Sequence, residues 1–174
     1  PLLGPEMRST GEVLGLSASY GEAFYKAQEA TQSKLPLEGT VLISVNRKDK
    51  AEIVEVAQML YEDGFHIVAT GGTCDILNEA GIPAEKIKKL FEGRPNVLDA
   101  ITNGKFDTII NSPVGKDSAN DDSYLRKAAI KAKIPYMTTI AAAKATAEGI
   151  RFGKANSDSP IKSLQELHAE IHDK

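Results

Sequence analysis

The segment Val68–Thr73 runs from an apolar stretch into a helical pattern, and its residue types suit the binding of an anion. Thr70 ends the predicted strand, while Gly71 and Gly72 let the backbone come close to a ligand, and Thr73 adds a second hydroxyl that caps the next helix. Backbone N–H groups and the positive end of that helix would converge on one spot, which suits a phosphate. Because glycine-rich turns are common, an ordinary strand-to-helix turn fits this segment about equally well.

Two lysines stand where they could reach the same anion. Lys50 lies near the start of a predicted helix, where the dipole already favours negative charge. A lysine there does not stabilise the helix, so ligand contact is favoured over a solvated position. Lys89 lies between Ile87 and Phe91 in a possible third strand. Two interpretations of Lys89 stay open: a ligand contact, or an exposed lysine that prevents pairing at the edge of the sheet.

The sequence offers no convincing set of catalytic or metal-binding groups. His66 falls within a predicted strand, and His168 and His172 share one face of the last predicted helix without a third metal ligand. Cys74 lies in the first turn of a helix but has no basic partner that would activate it. Binding is therefore favoured over catalysis, and we predict no catalytic residue and no metal site.

Composition restricts the class of protein. The chain has 174 residues, of which 41% are hydrophobic and 26% charged, with a net charge of −3, a profile typical of one globular domain plus an appendage. No stretch is long enough to cross a membrane, and the acidic balance argues against a nucleic-acid partner. The single cysteine cannot form an internal disulfide, which fits a reducing cytoplasm. A first residue of Pro1 suggests a fragment of a longer chain.

Hydrophobic periodicity divides the chain at Gly39. Residues 1–38 contain one helical pattern, from Tyr20 to Gln32, and are too few to bury a core of their own. From Gly39 onward strands alternate with helices. The predicted strands are 40–45, 66–70, 87–91, 108–111 and 135–138. The predicted helices are 50–63 with a capping box at Asp49–Glu52, 73–80, 97–103, 122–133, 140–148 closing at Gly149, and a last one capped by Ser163 and Glu166.

Short apolar strands that alternate with helices predict an α/β fold with a parallel sheet covered on both faces. In such sheets ligands bind beyond the carboxyl ends of the strands. This rule selects a polar set at the predicted strand ends: Ser44, Asn46, Lys50, Thr70, Thr73, Lys89, Asn111, Ser112, Thr138 and Thr139.

Several motifs resemble the large chain of carbamoyl-phosphate synthetase. They are Leu3–Val13, Glu22-Ala23-Phe24, Lys26-Ala27-Gln28, Thr70–Thr73, Glu92–Pro95, Asn103-Gly104, Ile109–Asn111, Arg126–Ala128 and Ser163–His168. The resemblance implies that residues 1–38 are the end of a synthetase domain and a linker, and that residues 39–174 are the allosteric domain. In that family this domain is similar to methylglyoxal synthase: a five-stranded parallel sheet with helices on both faces, a Rossmann-like three-layer sandwich.

The resemblance also implies ligands. Nucleotide effectors such as UMP or IMP bind this domain in bacterial members, and the matching positions here are Ser44, Lys50, Thr70, Thr73, Lys89 and Asn111, around Gly71 and Gly72. Ornithine would lie where this domain meets the synthetase domain, with Tyr136 and Thr138 as its contacts on this side. Pro113 stands where some members have a second hydroxyl, which leaves the identity of the effector open.

For the whole enzyme, the resemblance implies an ATP-dependent ligase with Mg or Mn. It would make carbamoyl phosphate with a glutaminase small chain, serve pyrimidine and arginine synthesis, and form homo-oligomers. The fragment itself would be non-catalytic and without a cofactor. Two alternatives are a phosphate lyase of the methylglyoxal-synthase type and an oligomerisation module. The lyase needs an aspartate as general base, and by our alignment Arg47 and Arg94 occupy its acidic positions.

Overall fold

The computed structural model describes residues 13–31, 34–112 and 119–156, together with 163, 165, 166, 168 and 169, and of residues 119–122 the backbone alone. In chain order the elements within this part are α1 Tyr20–Glu29, β1 Thr40–Ser44, α2 Lys50–Glu62, β2 His66–Thr70, α3 Gly71–Glu79, β3 Ala84–Ile87, α4 Val97–Thr102, β4 Thr108–Asn111, α5 Ala119–Lys131, β5 Tyr136–Met137 and α6 Ile140–Ala155.

The strands form one parallel sheet in the order β3-β2-β1-β4-β5. Strand β1 lies at the centre, and the order reverses there, which is where ligands bind in open α/β sheets. Register aligns the carboxyl ends of the strands, because Ser44 is level with Asn111 and Thr70 is level with Ile87. The predicted five-stranded parallel sheet is confirmed.

Both faces of the sheet are covered, so the molecule has the three predicted layers. Val41 and Ile43 of β1 point to one face, where they pack with apolar residues of α2, α3 and α6. Leu42 points to the other face and packs with apolar residues of α4 and α5. Neighbouring side chains of a strand project to opposite faces, so a central strand buried on both sides has a continuous apolar run.

Two predicted elements at the ligand-binding edge were wrong. The third strand is Ala84–Ile87, not 87–91, because the chain turns after Ile87: Val97 donates a backbone hydrogen bond to the Lys88 carbonyl, and Lys89 N donates to the Glu92 carboxylate at 2.8 Å. Helix α3 begins at Gly71 rather than Thr73, and the Thr73 hydroxyl does not cap it. Lys89 is therefore on a loop.

Two further helix signals were also wrong. The Asp49 side chain does not cap α2 but accepts a hydrogen bond from Asn46 Nδ2 at 2.6 Å. Helix α6 does not close at Gly149 but continues to Ala155, because Gly149 and Gly153 lie against α1 and its following segment. Other boundaries differ by one to three residues, as fraying ends do.

The last predicted helix is described in part. The capping box is confirmed, since Ser163 N donates to the Glu166 carboxylate at 2.6 Å and Glu166 N donates to Ser163 Oγ at 3.2 Å. Most of the Leu3–Val13 motif, Pro113 and His172 lie outside the described residues. No helix in the part of the chain that the structure describes has the length and apolar character to cross a membrane.

Candidate functional site

The strand ends carry a row of polar side chains on the α4/α5 face of the sheet. Thr70 Oγ1 donates to Ser44 Oγ at 2.8 Å, and Asn111 Nδ2 donates to the Tyr136 hydroxyl at 2.6 Å. Ser44 and Asn111 are neighbours in register across β1 and β4. The structure therefore brings together three side chains that the strand-end rule selects, Ser44, Thr70 and Asn111. Tyr136, which the resemblance supplied, lies beside Asn111. Thr70 and Asn111 are only 3% and 4% exposed.

The glycine turn at the start of α3 lies directly against Lys50. Gly71 has a φ of 36°, a conformation that side chains other than glycine rarely adopt. A Cβ placed on Gly72 would lie 2.5 Å from Lys50 Nζ. The absence of a side chain at position 72 thus makes room for the ammonium group of the first residue of α2.

A cleft of about 600 Å³ opens beside this turn and is lined by three cations. We call it the cationic cleft; its described lining residues are Val45, Asn46, Arg47, Lys50, Ala51, Val54, Ile76 and Lys89. None of these carries a carboxylate. Among the described residues, no acidic side chain forms an ion pair with Arg47, Lys50 or Lys89. The structure thus brings Lys50 and Lys89 to the same cleft, where no described carboxylate balances their positive charge.

The loop that carries Arg47 and leads to Lys50, the first residue of α2, is held in place by hydrogen bonds. Asn46 N donates to Ser112 Oγ at 3.0 Å, which ties the end of β1 to the end of β4. The Asn46 side chain accepts from Lys48 N at 2.8 Å. Sequence reasoning missed Arg47 as a lining residue. Its place between Ser44 and Lys50, in a loop beyond a central strand, was the available signal.

Thr73 has a different environment from that of the exposed site residues. It is 2% exposed, and its hydroxyl pairs with the backbone of Val45, accepting from the N–H at 3.3 Å and donating to the carbonyl at 3.4 Å. These bonds join α3 to the end of β1. The row on the sheet, the glycine turn and the cationic cleft thus lie next to one another, where neighbouring strands end.

A second cleft of about 640 Å³ lies between α1 and the end of β5. We call it the α1–β5 cleft; its described lining residues are Phe24, Gln28, Ile130, Lys133, Ile134, Pro135, Tyr136, Met137, Thr138 and Ala142. It contains both residues of the predicted ornithine side. The Arg126 guanidinium lies 6.0 Å from the centre of the Tyr136 ring, within cation–π range.

Groups with nucleophilic or metal-binding chemistry lie elsewhere. Cys74 is buried, and its burial, followed by the negative charge of Asp75, raises the pKa of its thiol. His66 Nε2 lies 3.1 Å from the Glu85 carboxylate on the exposed edge of the sheet. Among the described residues, no three histidine, cysteine or acidic side chains cluster as metal ligands would. The described residues that line the two clefts offer cationic, hydroxyl, amide and apolar side chains.

Comparison with known proteins identifies the fold and the family. A family model described as MGS-like domain matches residues 52–138. The solved methylglyoxal synthase from Elizabethkingia anophelis superimposes with a TM-score of 0.54 over 74% of this chain and 97% of that chain, at 15% identity. At that identity the likeness concerns the fold alone.

Sequence relatives cover nearly the whole chain. The carbamoyl phosphate synthase large chain of Methanothrix thermoacetophila is 47% identical over 98% of this chain, and that of Acidobacterium capsulatum is 48% identical over 97%. The C-terminal section of the Methanopyrus kandleri large chain is 47% identical over 97%. The chain spans 16%, 15% and 31% of the length of these three relatives, respectively. The chain therefore belongs to the MGS-like domain family, in the form found in the C-terminal section of the carbamoyl phosphate synthase large chain.

Proposed function

We propose that this chain is the allosteric section of a carbamoyl phosphate synthase and binds a nucleotide effector, UMP or IMP, through its phosphate. The observation that carries the proposal is the cationic cleft, in which Arg47, Lys50 and Lys89 surround about 600 Å³ without an acidic lining residue among those described. A phosphate group with two negative charges would be neutralised there. Charge-assisted hydrogen bonds of this kind are about twice as strong as neutral ones.

Lys50 is the principal phosphate contact in this proposal. It is the first residue of α2, so its ammonium group and the helix N-terminus act on the same anion. Its amine lies over Gly72, where backbone can approach a ligand closely. Lys89 approaches from the loop after β3, and Arg47 adds a third cation that the sequence resemblance did not supply.

The sugar and base are proposed to use the hydroxyl and amide groups at the strand ends. Ser44 is partly exposed and lies between Thr70 and Asn111. Hydroxyls fix the orientation of a ligand, while the cations supply most of the attraction. Thr73 would act indirectly, because its hydroxyl holds Val45 at the wall of the cleft.

Ornithine is the occupant we propose for the α1–β5 cleft. Tyr136 and Thr138 supply hydroxyls there, and Phe24, Ile134 and Met137 supply apolar surface for its carbon chain. The carboxylates that would hold its ammonium groups belong to the synthetase domain in this proposal. The cleft then lies where an effector can bridge the two parts of a large chain.

Regulation would arise by linkage between these clefts and the catalytic half. An effector that prefers one arrangement of the two parts shifts their equilibrium, typically by about 1–3 kcal/mol. The whole protein is proposed to be a cytoplasmic ligase that uses ATP with Mg or Mn, pairs with a glutaminase small chain, assembles as homo-oligomers, and serves pyrimidine and arginine synthesis.

The section itself is proposed to be non-catalytic. A phosphate lyase of the methylglyoxal-synthase type needs a general base, and the described residues that line the cationic cleft offer only cations and neutral groups. Guanidinium and ammonium groups do not accept a proton at neutral pH. An assay with dihydroxyacetone phosphate should therefore yield no methylglyoxal.

Calorimetric titration with UMP and IMP tests the nucleotide proposal. We expect saturable binding that weakens by about tenfold or more in Lys50→Ala and in Lys89→Ala, because each change removes a charge-assisted contact. Lys48→Ala is the matched control, since Lys48 is exposed in the same loop and is not among the lining residues. Unchanged affinity in both lysine variants of the folded chain would refute the assignment.

A further inference from the structure

Four helices of the described part end with the same backbone motif. In each, the N–H of the third residue past the helix end bonds back to a carbonyl in the last turn, a Schellman motif. The four bonds, all 2.9 to 3.0 Å long, are Phe65 to Leu60 after α2, Ile82 to Leu77 after α3, Lys105 to Ala100 after α4, and Ile134 to Ala129 after α5.

The residue at the turn is glycine in three of these motifs and lysine in the fourth. Gly64, Gly81 and Gly104 have φ values of 86°, 82° and 65°. Lys133 has a φ of 57°, and it is the one non-glycine residue with positive φ in the described part of the chain. A side chain in this left-handed conformation is sterically unfavourable, which is why glycine prevails at such positions. The fold alone would therefore be served better by glycine.

Ion pairs within the described part of the chain do not account for the lysine. Among the described residues, no carboxylate pairs with Lys133. A cation near a helix C-terminus is favourable, but Lys131 already supplies one in the last turn of α5. Lys133 instead is one of the residues that line the α1–β5 cleft, together with Tyr136 and Thr138.

The charge of this cleft differs from that of the cationic cleft. Lys133 is the single cation among its described lining residues, and no acidic side chain is among them. One positive charge matches one carboxylate, whereas the three cations of the other cleft match a phosphate dianion. Gln28, Tyr136 and Thr138 add neutral hydrogen-bonding groups, and the remaining surface is largely apolar.

We propose that Lys133 is a specificity residue of the α1–β5 cleft and binds the carboxylate of an amino-acid ligand. This inference rests on the proposed function of that cleft as an amino-acid site, and it assigns the α-carboxylate of ornithine to this chain. Backbone strain is accepted at position 133 because the side chain there contacts the ligand.

The test replaces Lys133 with the residue found at the other three helix ends. Lys133→Gly relieves the strained conformation, so its melting temperature should be unchanged or raised. Its affinity for L-ornithine should fall about tenfold or more, since a charged partner of the carboxylate is lost. Lys131→Ala, which removes a neighbouring charge from the same helix, should bind ornithine like the unmodified chain.

Three probes separate the carboxylate from the rest of the ligand. All are titrated by calorimetry against the large chain that joins this section to its synthetase domain, because that domain is proposed to hold the ammonium groups of ornithine. Putrescine, which is ornithine without its carboxylate, should bind weakly and equally to the unmodified chain and to Lys133→Gly. L-Norvaline keeps the carboxylate and lacks the side-chain ammonium. If norvaline binds in a Lys133-dependent manner while ornithine does not bind, the inference stands and ornithine is the wrong ligand.

Two results would overturn the inference. Equal ornithine affinity of Lys133→Gly and the unmodified chain would remove the role of Lys133 and leave the proposed amino-acid site intact. Failure of ornithine and norvaline alike to bind a large chain that contains the synthetase domain and still binds UMP would remove both the site and its lysine.

Discussion

At the scale of single residues, the position of the Lys50 ammonium group depends on the absence of a side chain at Gly72. A Cβ at position 72 would lie 2.5 Å from Lys50 Nζ, which is closer than carbon and nitrogen can pack. The obstacle is the tip of a flexible side chain, so the lysine can swing aside at little cost to the fold. Gly71, in contrast, has open space around it and a positive φ.

We therefore predict opposite effects for the two glycines. Gly72→Ala should leave the free energy of unfolding nearly unchanged and weaken nucleotide binding, because the Lys50 ammonium is displaced. Gly71→Ala should lower the free energy of unfolding by about 1–2 kcal/mol, the cost of a side chain in left-handed backbone. Urea denaturation and calorimetry on both variants check this. Full nucleotide affinity in Gly72→Ala would contradict the placement of Lys50.

Cys74 gives a second prediction at this scale. Its side chain is 2% exposed, its Sγ donates to the Ala84 carbonyl at 3.3 Å, and burial raises the pKa of the thiol. A raised pKa means less thiolate at any given pH below it, and thiolate is the reactive form. Alkylation of the native chain by iodoacetamide should be slow, should speed up as pH rises, and should be much slower than in denaturant. Rapid labelling of the native chain at neutral pH would show that the thiol is accessible.

The strand-end rule predicted from sequence that several candidate residues lie together, because parallel strands must end at one edge. It found Ser44, Thr70 and Asn111, which the register then aligned. It did not find Arg47, because the direction of that loop depends on the Asn46–Ser112 hydrogen bond between residues far apart in sequence. A local pattern contains no information on such a contact.

At the scale of elements, the packing of α1 on α6 explains why a glycine does not end α6. Gly149 would have been a helix stop by local rules. In the structure an added Cβ at Gly149 would meet the Gly21 carbonyl at 3.3 Å, and one at Gly153 would collide with the Tyr25 ring. The glycines thus allow close approach of α1 within a continuing helix, and tertiary contact overrides the local signal.

Alanine at Gly149 and at Gly153 should have different effects on stability, because the first meets a backbone carbonyl at a tolerable distance and the second collides with an aromatic ring. Gly153→Ala should lower the free energy of unfolding by about 1–3 kcal/mol, since an aromatic ring would have to move in a packed interface. Gly149→Ala should be close to neutral, because its tight contact is offset by the better helix propensity of alanine. Denaturant midpoints of the two variants check this. Equal losses would mean that α1 does not pack on α6 as described.

The strand β3 shows a limit of periodicity. Its sequence Ala84-Glu85-Lys86-Ile87 lacks an apolar run, because it lies at the edge of the sheet and two of its residues are exposed. The stretch that follows, with Leu90 and Phe91, forms a loop in which Asn96 Nδ2 donates to the carbonyls of Leu90 and Gly93. The buried Asn96 side chain holds the loop through these backbone carbonyls, and the sequence pattern does not reveal such a contact.

At the scale of the whole molecule, the two clefts lie near opposite ends of the strand order, along the edge where the strands end. The cationic cleft lies beyond β1 and β3, while the α1–β5 cleft lies at the opposite end of the strand order, where α1 packs. Hydrogen bonds between Thr70 and Ser44 and between Asn111 and Tyr136 occupy the strand ends between them. Under the proposed function, this arrangement would give two effectors separate sites on one sheet.

The fold class was predictable from sequence for a physical reason. Alternating strands and helices with short apolar strands admit few arrangements other than a parallel sheet covered on both faces. The segment before Gly39 was harder to interpret, because α1 buries its apolar side only against α6, more than a hundred residues later in the chain. Contacts between such distant segments are what sequence patterns leave undetermined.

The most direct test of the central claim, that the cationic cleft binds a nucleotide through its phosphate, compares UMP with uridine. Calorimetric titration of the 174-residue chain should give an affinity for UMP at least about tenfold higher than for uridine, and Lys50→Ala should remove most of that difference. Equal affinity for the nucleotide and the nucleoside, or an undiminished preference for UMP in Lys50→Ala, would contradict the account.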